Sequence, residues 1–304
     1  MSRRGNHNLE AGYQNQILVY NLLMNKKEIF VTKLNGVKEL FNEDKLKRSL
    51  INSGATIEVA DKVVAHISKE LKDGIPTSSI RERALSLFAR TAKPASARYS
   101  LKKALAELGP SGFPFEKFVA DIFRARGYHA ENNQFIKGKC VEHEIDVVAW
   151  NDNELVMAEA KFHNELGLKS DLKVALYVKA RFDDISNSEF FYGRNRKLDE
   201  GLLITNTKFT EKAISYATCS GLKIIGWNYP AKGNLHDLIE ETAMHPVTSL
   251  SSLSPNEKKN LIEAGIILCR DLKNEPLLRT LGLNDKKVEE VIEERDSICP
   301  TRNF

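Results

Sequence analysis

The sequence predicts a multidomain protein of mixed class, with α/β and α+β parts. Apolar residues recur at helical spacing up to the breaker Gly109-Pro110-Ser111-Gly112, and beyond it short strands alternate with helices. After His245-Pro246 the pattern is helical only. We therefore expect an undefined leader over residues 1–28, a helical domain with a small sheet over 29–109, a mixed-sheet domain with flanking helices over 112–245, and a small all-α tail over 249–304.

The composition is typical of a soluble protein from a reducing compartment. The 304 residues are 42% hydrophobic and 28% charged, and no apolar run approaches the roughly 20 residues that span a bilayer. The four cysteines lie far apart and form no C-x-x-C pair, so neither a zinc knuckle nor a disulfide framework is indicated. We therefore expect a cytoplasmic protein without a membrane partner.

The net charge of +4 is unevenly distributed along the chain. Residues 1–110 contain 19 Lys/Arg against 11 Asp/Glu, whereas residues 111–245 contain 17 against 20. A basic N-terminal third suits an anionic ligand such as a nucleotide or a nucleic-acid backbone, and a slightly acidic middle suits a carboxylate metal site. Solvated surfaces of either sign are an alternative that charge alone leaves open.

In the N-terminal domain, alternation predicts a strand over residues 28–33, and Asn35-Gly36 is a hairpin turn signal. Helices follow from the spacing of apolar residues and from stops at Gly54 and at Asp73-Gly74. These helices are predicted over residues 43–53, 57–71, 78–89 and 95–108.

The central domain is predicted to begin with an amphipathic helix over residues 115–126, which Gly127 ends. Two strands follow, and the turn Asn151-Asp152-Asn153 joins them. Helices and buried strands then alternate, which indicates a mixed sheet. The strands are predicted over residues 144–150, 154–162, 201–205 and 222–227, and the later helices over 171–182 and 211–219.

Three charged residues stand on the central hairpin among apolar neighbours. Asp146 lies on the first strand, and Glu159 and Lys161 lie two positions apart on the second, so these two share one face. Charges on a buried strand are costly unless they bind a ligand. Two clustered carboxylates repel each other, and a divalent cation removes the repulsion. Mg²⁺ suits the pattern, because it binds through one or two protein carboxylates and keeps waters and phosphate oxygens.

Residues 112–229 resemble the PD-(D/E)xK nuclease superfamily, and more narrowly the Mrr-like restriction endonucleases. The resemblance lies in Phe115-Glu116, in Asp146 followed by Glu159-x-Lys161, and in the segment 205–210. It implies Mg²⁺-dependent hydrolysis of DNA in restriction or antiviral defence. Asp146 and Glu159 would hold the metal, Lys161 would activate or orient the attacking water, and Glu116 matches a helix acid that completes the metal site. Mrr-like proteins usually have Gln where Glu159 stands, and the superfamily accepts either residue.

Purely structural roles for these residues stay open. Asp146 and Glu159 also suit an ordinary half-exposed hairpin, with Lys161 as a cross-strand ion-pair partner. Glu116 also suits the dipole of a helix start, and His143 and His163, which flank the motif, also suit structural roles. At the level of function, the alternatives are a nucleotide-sensing DNA-binding regulator that does not cut, a structure-specific resolvase, and an RNase.

Residues 28–109 resemble an ATP-cone, the allosteric nucleotide-binding domain of ribonucleotide reductases. The resemblance lies in Val31-Thr32-Lys33 with its turn, in Asn42-Glu43-Asp44-Lys45-Leu46, in Gly74-Ile75-Pro76-Thr77, and in Ala97-Arg98-Tyr99. It implies a regulatory ATP or dATP ligand. Leu34 stands where the family often has Arg. The alternative is a cone kept as a helical scaffold or dimer handle.

The same resemblance implies a set of nucleotide-binding residues. Val31 and Lys33 would line the nucleotide, Lys45 would meet a phosphate, and Thr77 and Arg81 would approach the base or ribose. Glu39 and Asn42 are further candidates. No G-x-x-x-x-G-K-[ST] occurs in the sequence, so hydrolysis of the nucleotide is not indicated.

The tail and the assembly complete the expectations. Leu261-Ile262-x-x-Gly265-Ile266 resembles a helix–hairpin–helix element, in which backbone N–H groups of a tight turn meet a DNA phosphate. A protein-contact module is the alternative. One site of this type cuts one strand, so double-strand cleavage predicts a homodimer or a larger even assembly.

Overall fold

The structure is a computed structural model that describes residues 28–33, 36–52, 55–89, 93–272 and 275–299. The predicted leader therefore lies outside the described residues except for Glu28, and so do Leu34 and Asn35 of the predicted turn. The side chains of Ala97-Arg98-Tyr99 also lie outside the description. Among the described residues, no helix combines the length and the apolar character that crossing a bilayer requires.

The N-terminal domain combines short strands with helices. The strands are Phe30–Thr32 (β1), Lys38–Leu40 (β2) and Ile75–Pro76 (β3), and the helices are Glu43–Asn52 (α1), Ile57–Glu70 (α2), Thr77–Ala89 (α3) and Lys93–Ala106 (α4). The described strands form a sheet of order β2-β1-β3. β1 and β2 are antiparallel, with Val31 opposite Glu39, and Gly36 between them has φ +78°, a conformation that favours glycine. Val31, Leu50 and Ile67 lie in the core between sheet and helices.

The central domain is built on a mixed sheet with helices on both faces. Its strands in the described residues are His129–Lys137 (β4), Glu142–Trp150 (β5), Leu155–Lys161 (β6), Lys169–Ser170 (β7), Phe190–Tyr192 (β8), Arg194–Arg196 (β9), Glu200–Thr205 (β10), Lys208–Phe209 (β11) and Lys223–Ile225 (β12). Its helices are Phe113–Ala125 (α5), Leu172–Ile185 (α6), Glu211–Ser220 (α7) and Leu235–Thr242 (α8).

The main sheet has the order β12-β10-β6-β5-β4. β4, β5 and β6 form an antiparallel meander, whereas β10 runs parallel to β6 and β12 runs parallel to β10. Two-stranded pairs, β7 with β11 and β8 with β9, lie beside it. The prediction of a mixed α/β centre is confirmed, while β4 and α8 are elements that the sequence pattern does not predict.

Two apolar cores lie on opposite faces of the main sheet. On one face α5 packs through Phe115, Phe118 and Val119, and Leu101 and Leu105 of α4 join the same core. On the other face the core contains residues of α6 and α7. Strand β6 serves both, because side chains alternate between the faces: Val156 and Ala158 face α5, and Leu155 and Met157 face α6. By the same alternation Glu159 falls on the α6 face.

The tail is helical, as predicted, and carries its own core. Its helices are Pro255–Glu263 (α9), Glu275–Thr280 (α10) and Asp285–Ile298 (α11), with 3-10 turns at Val247–Ser249 and Cys269–Asp271. The phosphate-binding hairpin at Gly265 stays a prediction. The N–H groups of Gly265 and Ile266 both donate 2.9 Å hydrogen bonds to carbonyls of α9, at Ile262 and Leu261. These two groups are therefore engaged within the tail.

The contact between α6 and β10 depends on a glycine. A Cβ atom built on Gly201 would lie 2.5 Å from Cδ2 of Phe182, a buried side chain of α6. The lack of a side chain at Gly201 lets α6 approach the sheet closely, and α6 also carries Arg181. The close approach therefore sets how far Arg181 stands from the strands.

We expect Gly201→Ala to lower the free energy of unfolding by about 1–3 kcal/mol, because the ring of Phe182 has little room to move. Urea denaturation measures the change. Lys212→Ala, an exposed position on α7, is the control and should stay within about 0.5 kcal/mol of the parent protein. Equal stability of the Gly201 variant and the control would contradict this account of the contact.

Candidate functional site

Strand β5 separates from β6 at Asp146, and its pairing with β4 is interrupted at the same residue. The ladder with β6 ends at the pair Val147 and Ala158, one step before Asp146 would face Glu159. On the other side, the pairs with β4 run on either side of Asp146, and Asn133 of β4 has φ +53° at the intervening position. The backbone thus leaves the regular sheet at the predicted metal-binding residue.

Side chains replace the missing backbone pairs at this point. The carboxylate of Asp146 accepts a 2.7 Å hydrogen bond from the N–H of Ala160, between Glu159 and Lys161. The carbonyl of Asp146 accepts a 3.1 Å hydrogen bond from the side-chain amide of Asn132. A carboxylate is thereby fixed against strand β6, between the two other predicted catalytic residues.

Arg181 of α6 lies over this strand end and was not predicted. Its guanidinium forms an ion pair with Glu159 and donates a 3.0 Å hydrogen bond to the carbonyl of Glu144. Its other terminal nitrogen donates to the hydroxyl of Tyr177 at 2.9 Å, and the guanidinium carbon lies 4.9 Å from the centre of that ring. Tyr177 and Arg181 are four positions apart, so the sequence could show that they share a helix face. It could not show that Arg181 contacts Glu159.

The other two predicted catalytic residues, Lys161 and Glu116, differ in solvent exposure. Lys161 is exposed at the end of β6, where it pairs with Thr205 of β10. Glu116 is half-buried in the first turn of α5, and a Cβ atom on Gly112 would lie 3.2 Å from its carboxylate. The charges of Asp146 and Glu159 both act on Glu116, so the structure brings all predicted acids into one electrostatic group.

The pKa values of these acids are raised, first by burial and then by neighbouring carboxylates. Burial, and then the charge of Asp146, raise the pKa of Glu159 to about 7, although Arg181 and Lys161 oppose the rise. Burial, and then the neighbouring acids, likewise raise the pKa of Glu116 to about 7. Burial also raises the pKa of Asp146, against the hydrogen bond from Ala160. Such values are typical of acids that a cation is needed to ionise.

The carboxylates of this site are suitable ligands for Mg²⁺, although the described residues do not already surround a metal position. Within the described residues, no group of three or more His, Cys, Asp or Glu side chains is arranged to hold a metal ion. Asp146 and Glu159 are nevertheless carboxylates of the kind Mg²⁺ prefers, beside a third acid. Arg181 pairs with Oε2 of Glu159, so the guanidinium and a bound metal would share this carboxylate.

The two flanking histidines have structural partners. The ring of His143 lies 2.8 Å from the carboxylate of Asp184. The ring of His163 lies 3.1 Å from the hydroxyl of Ser170, and its backbone is held in both directions by the side chain of Asn206. His163 thereby fixes the course of the chain directly after Lys161.

A second site lies at the N-terminal domain. A cavity of about 460 Å³ is lined by Lys33, Lys45 and the other residues that the sequence assigns to nucleotide binding. Glu39 forms ion pairs with both of these lysines, at 2.5 and 3.1 Å. Asn42 accepts a hydrogen bond from the N–H of Lys45 at the start of α1. The predicted residues that meet at this cavity are Val31, Lys33, Glu39, Asn42, Lys45, Thr77 and Arg81.

Two family models divide the rest of the chain into a restriction endonuclease domain and a helical tail. The restriction endonuclease family, of the Mrr catalytic type, matches residues 109–229, which confirms this part of the prediction. A second family model, described as AF1548-like C-terminal, matches residues 245–299 and thus covers the tail. The predicted residues Glu116, Asp146, Glu159 and Lys161 lie within the matched range.

Comparison with individual proteins identifies the family. An uncharacterized protein of Archaeoglobus fulgidus is 38% identical over 182 residues, which are 59% of this chain and 99% of that protein. The crystal structure of AF1548, a protein of unknown function, is 36% identical with a TM-score of 0.50 and covers 62% of this chain and 98% of its own. The chain therefore belongs to the AF1548-like family. MspJI restriction endonuclease, solved with a 27-mer oligonucleotide, is 13% identical with a TM-score of 0.33, over 65% of this chain and 39% of its own.

The raised pKa values predict a pH-dependent stability. Unfolded glutamate has a pKa near 4.5 and folded Glu116 and Glu159 have values near 7, so their protons stabilise the folded state at low pH. This contribution is complete below about pH 4.5 and is lost as the pH rises through about 7. We expect the metal-free protein to become less stable from pH 5.5 to 8, and Glu159→Gln to weaken that decline.

Thermal unfolding in EDTA across this pH range measures the effect. Glu142→Gln, at an exposed position on β5, is the control and should decline like the parent protein. If the melting temperature of Glu159→Gln falls with pH as much as that of the parent, the pKa of Glu159 is not raised in the folded protein.

Proposed function

We propose that this protein is a Mg²⁺-dependent endonuclease that hydrolyses phosphodiester bonds of DNA in restriction or antiviral defence. The observation that carries the proposal is the opening of the sheet at Asp146. This opening lies within a restriction endonuclease domain, beside the exposed Lys161 and beside Glu159, whose pKa is raised. A cross-strand salt bridge would not explain this arrangement, because the guanidinium that pairs with Glu159 comes from α6 rather than from Lys161.

Each residue has a distinct part in the proposed reaction. Asp146 and Glu159 would hold Mg²⁺, with Glu116 as a further acid beside them. The bound metal would supply charge stabilisation at the phosphate and a water of lowered pKa. Lys161 is exposed at the strand end, so its ammonium group can reach a phosphate oxygen or orient the attacking water. Arg181 would act as a positioning residue, because its charge lowers the pKa of Glu159 and so favours the ionised form that binds a metal.

The partners follow from the same proposal. DNA is the proposed substrate, and cleavage of both strands requires two sites, so we propose a homodimer or a larger even assembly. We also propose that the N-terminal domain binds ATP or dATP as a regulatory ligand. The convergence of the predicted residues, Lys33 and Lys45 among them, on one cavity supports this part.

The first test is cleavage itself. We expect plasmid DNA to be cut with Mg²⁺ and not with EDTA. Asp146→Asn should reduce cutting to the level of the EDTA control, since it removes a metal ligand. Lys161→Ala should reduce the rate by about 10²–10⁴-fold, as expected for loss of a group that helps transfer or orient a proton.

Metal binding and substrate choice separate the alternatives. Mg²⁺ should raise the melting temperature of Lys161→Ala but not that of Asp146→Asn. Cutting of RNA alone would favour an RNase, and cutting of branched DNA alone would favour a resolvase. Tight DNA binding without any cutting would favour the regulator, and full activity of Asp146→Asn would refute the assigned site.

Arg181 gives a test based on pH. Loss of its charge should raise the pKa of Glu159 above about 7, because Arg181 is one of the groups that lower it. We expect Arg181→Gln to cut slowly at pH 7 and to recover part of the lost rate at higher pH. Arg181→Lys keeps a positive charge. Its cleavage rate should therefore depend on pH as in the parent protein, while its maximal rate should stay below that of the parent. An unchanged pH profile in Arg181→Gln would contradict the positioning role.

A further inference from the structure

The cavity beside the N-terminal domain is not lined by that domain alone. Lys102 comes from α4, Lys169 from β7 and Lys208 from β11, and residues 166–168 close the same side. β7 and β11 belong to the nuclease domain and pair in parallel, with Lys169 opposite Lys208. The cavity therefore lies between the two domains, and sequence reasoning missed these three lysines because only the tertiary fold brings them there.

The lining has a large excess of positive charge. Lys33, Lys45, Arg81, Lys102, Lys169 and Lys208 line the cavity, and Glu39 is the acid among its lining residues. Glu39 is already paired with Lys33 and Lys45. No carboxylate of the described residues forms an ion pair with Arg81, Lys102, Lys169 or Lys208 within 4.0 Å. Four cations thus face the cavity without an acidic partner there.

The cations also act on one another. Burial, and then the charges of Lys208 and Arg81, lower the pKa of Lys102 to about 8. Partial enclosure, and then Lys45 and Lys169, lower the pKa of Lys208. A folded protein keeps such a cluster at a cost in stability, and a polyanion in the cavity removes that cost. The volume of about 460 Å³ lies within the usual range for small-molecule sites.

We infer that a nucleoside triphosphate binds across the two domains, with its phosphates held by Lys102, Lys169 and Lys208 as well as by the lysines of the N-terminal domain. The inference deepens the proposed function, on which its regulatory part rests. Val31, Thr77 and Ile80 line the cavity from the N-terminal domain and leave room for the nucleoside beside the cationic wall.

A short chain of contacts leads from this wall to the catalytic strand. Ser170 follows Lys169, is buried, and lies 3.1 Å from the ring of His163 and 3.4 Å from the hydroxyl of Thr205. Thr205 pairs with Lys161 in the main sheet. The triphosphate neutralises the facing Lys169 and Lys208 and so stabilises the β7–β11 pair. The ligand thereby orders the segment that leaves Lys161 and accelerates cleavage.

Binding is tested on the full-length Asp146→Asn protein, so that the result does not depend on cleavage. Isothermal titration with ATP, adenosine and inorganic tripolyphosphate should show binding of ATP, weaker binding of tripolyphosphate and the weakest binding of adenosine. Lys169→Glu with Lys208→Glu should weaken ATP binding by at least about tenfold, since each substitution replaces a phosphate-facing cation with an anion. Lys212→Glu, an exposed charge reversal of the same kind on α7, should bind ATP like the parent.

Unchanged ATP affinity in the double variant would overturn the inference. If the double variant lacks a cooperative unfolding transition, Lys102→Gln replaces it, with the same expected loss of ATP affinity.

A double variant that loses affinity for duplex DNA but not for ATP would also overturn the inference, since the lysines would then bind a DNA backbone. In the active protein, ATP should increase the cleavage rate, and an unchanged or lower rate would refute the coupling. ATP binding without any DNA cleavage would instead refute the proposed function and leave the binding site intact.

Discussion

The hydrogen bond from the N–H of Ala160 to the carboxylate of Asp146 is the contact on which the catalytic arrangement depends. An antiparallel ladder would normally pair that N–H with a backbone carbonyl, and Asp146 would then be an ordinary strand residue. Because the ladder ends at Val147, the side chain takes the place of the backbone partner. The same bond fixes the carboxylate against the strand that carries Glu159 and Lys161. The opening of the sheet and the assembly of the site are thus one structural event.

This arrangement leaves buried acids with raised pKa values that the neighbouring cations only partly offset. Arg181 reaches Glu159 from the opposite helix, yet the pKa of that acid remains near 7 because burial and Asp146 outweigh the guanidinium. A stronger permanent counter-charge would make the metal-free protein more stable but would compete with a metal ion for the same oxygen atoms. The incomplete pairing is therefore consistent with a site whose stable form contains a cation.

The sequence predicted the elements whose patterns are local. The hairpin of β5 and β6 alternates apolar residues with Asp146, Glu159 and Lys161, and helix α5 repeats its apolar residues every three or four positions, so their positions follow from periodicity. Strand β4 was missed because Asn132, Asn133 and Gln134 interrupt any apolar alternation. These polar residues have a tertiary reason, since Asn132 satisfies the carbonyl of Asp146 and the positive φ of Asn133 lies beside the opening. The apolar alternation of β4 is therefore lost at the same residues at which its pairing with β5 is interrupted.

The missed residues show the other limit of sequence reasoning. Arg181 and Lys208 have no local motif, and each acquires its meaning only from an element distant in the chain that the fold places opposite to it. The two sites that they mark carry opposite charge imbalances, acidic at Asp146 and basic at the interdomain cavity. Each imbalance is what a ligand of that site would neutralise, a metal cation in one case and a polyphosphate in the other. The chain that leaves β6 passes through His163 and Ser170 to the wall of the cavity, so a short segment connects the two proposed sites. The proposed coupling would therefore act through residues 162–170, which lie between Lys161 of the acidic site and Lys169 of the basic one.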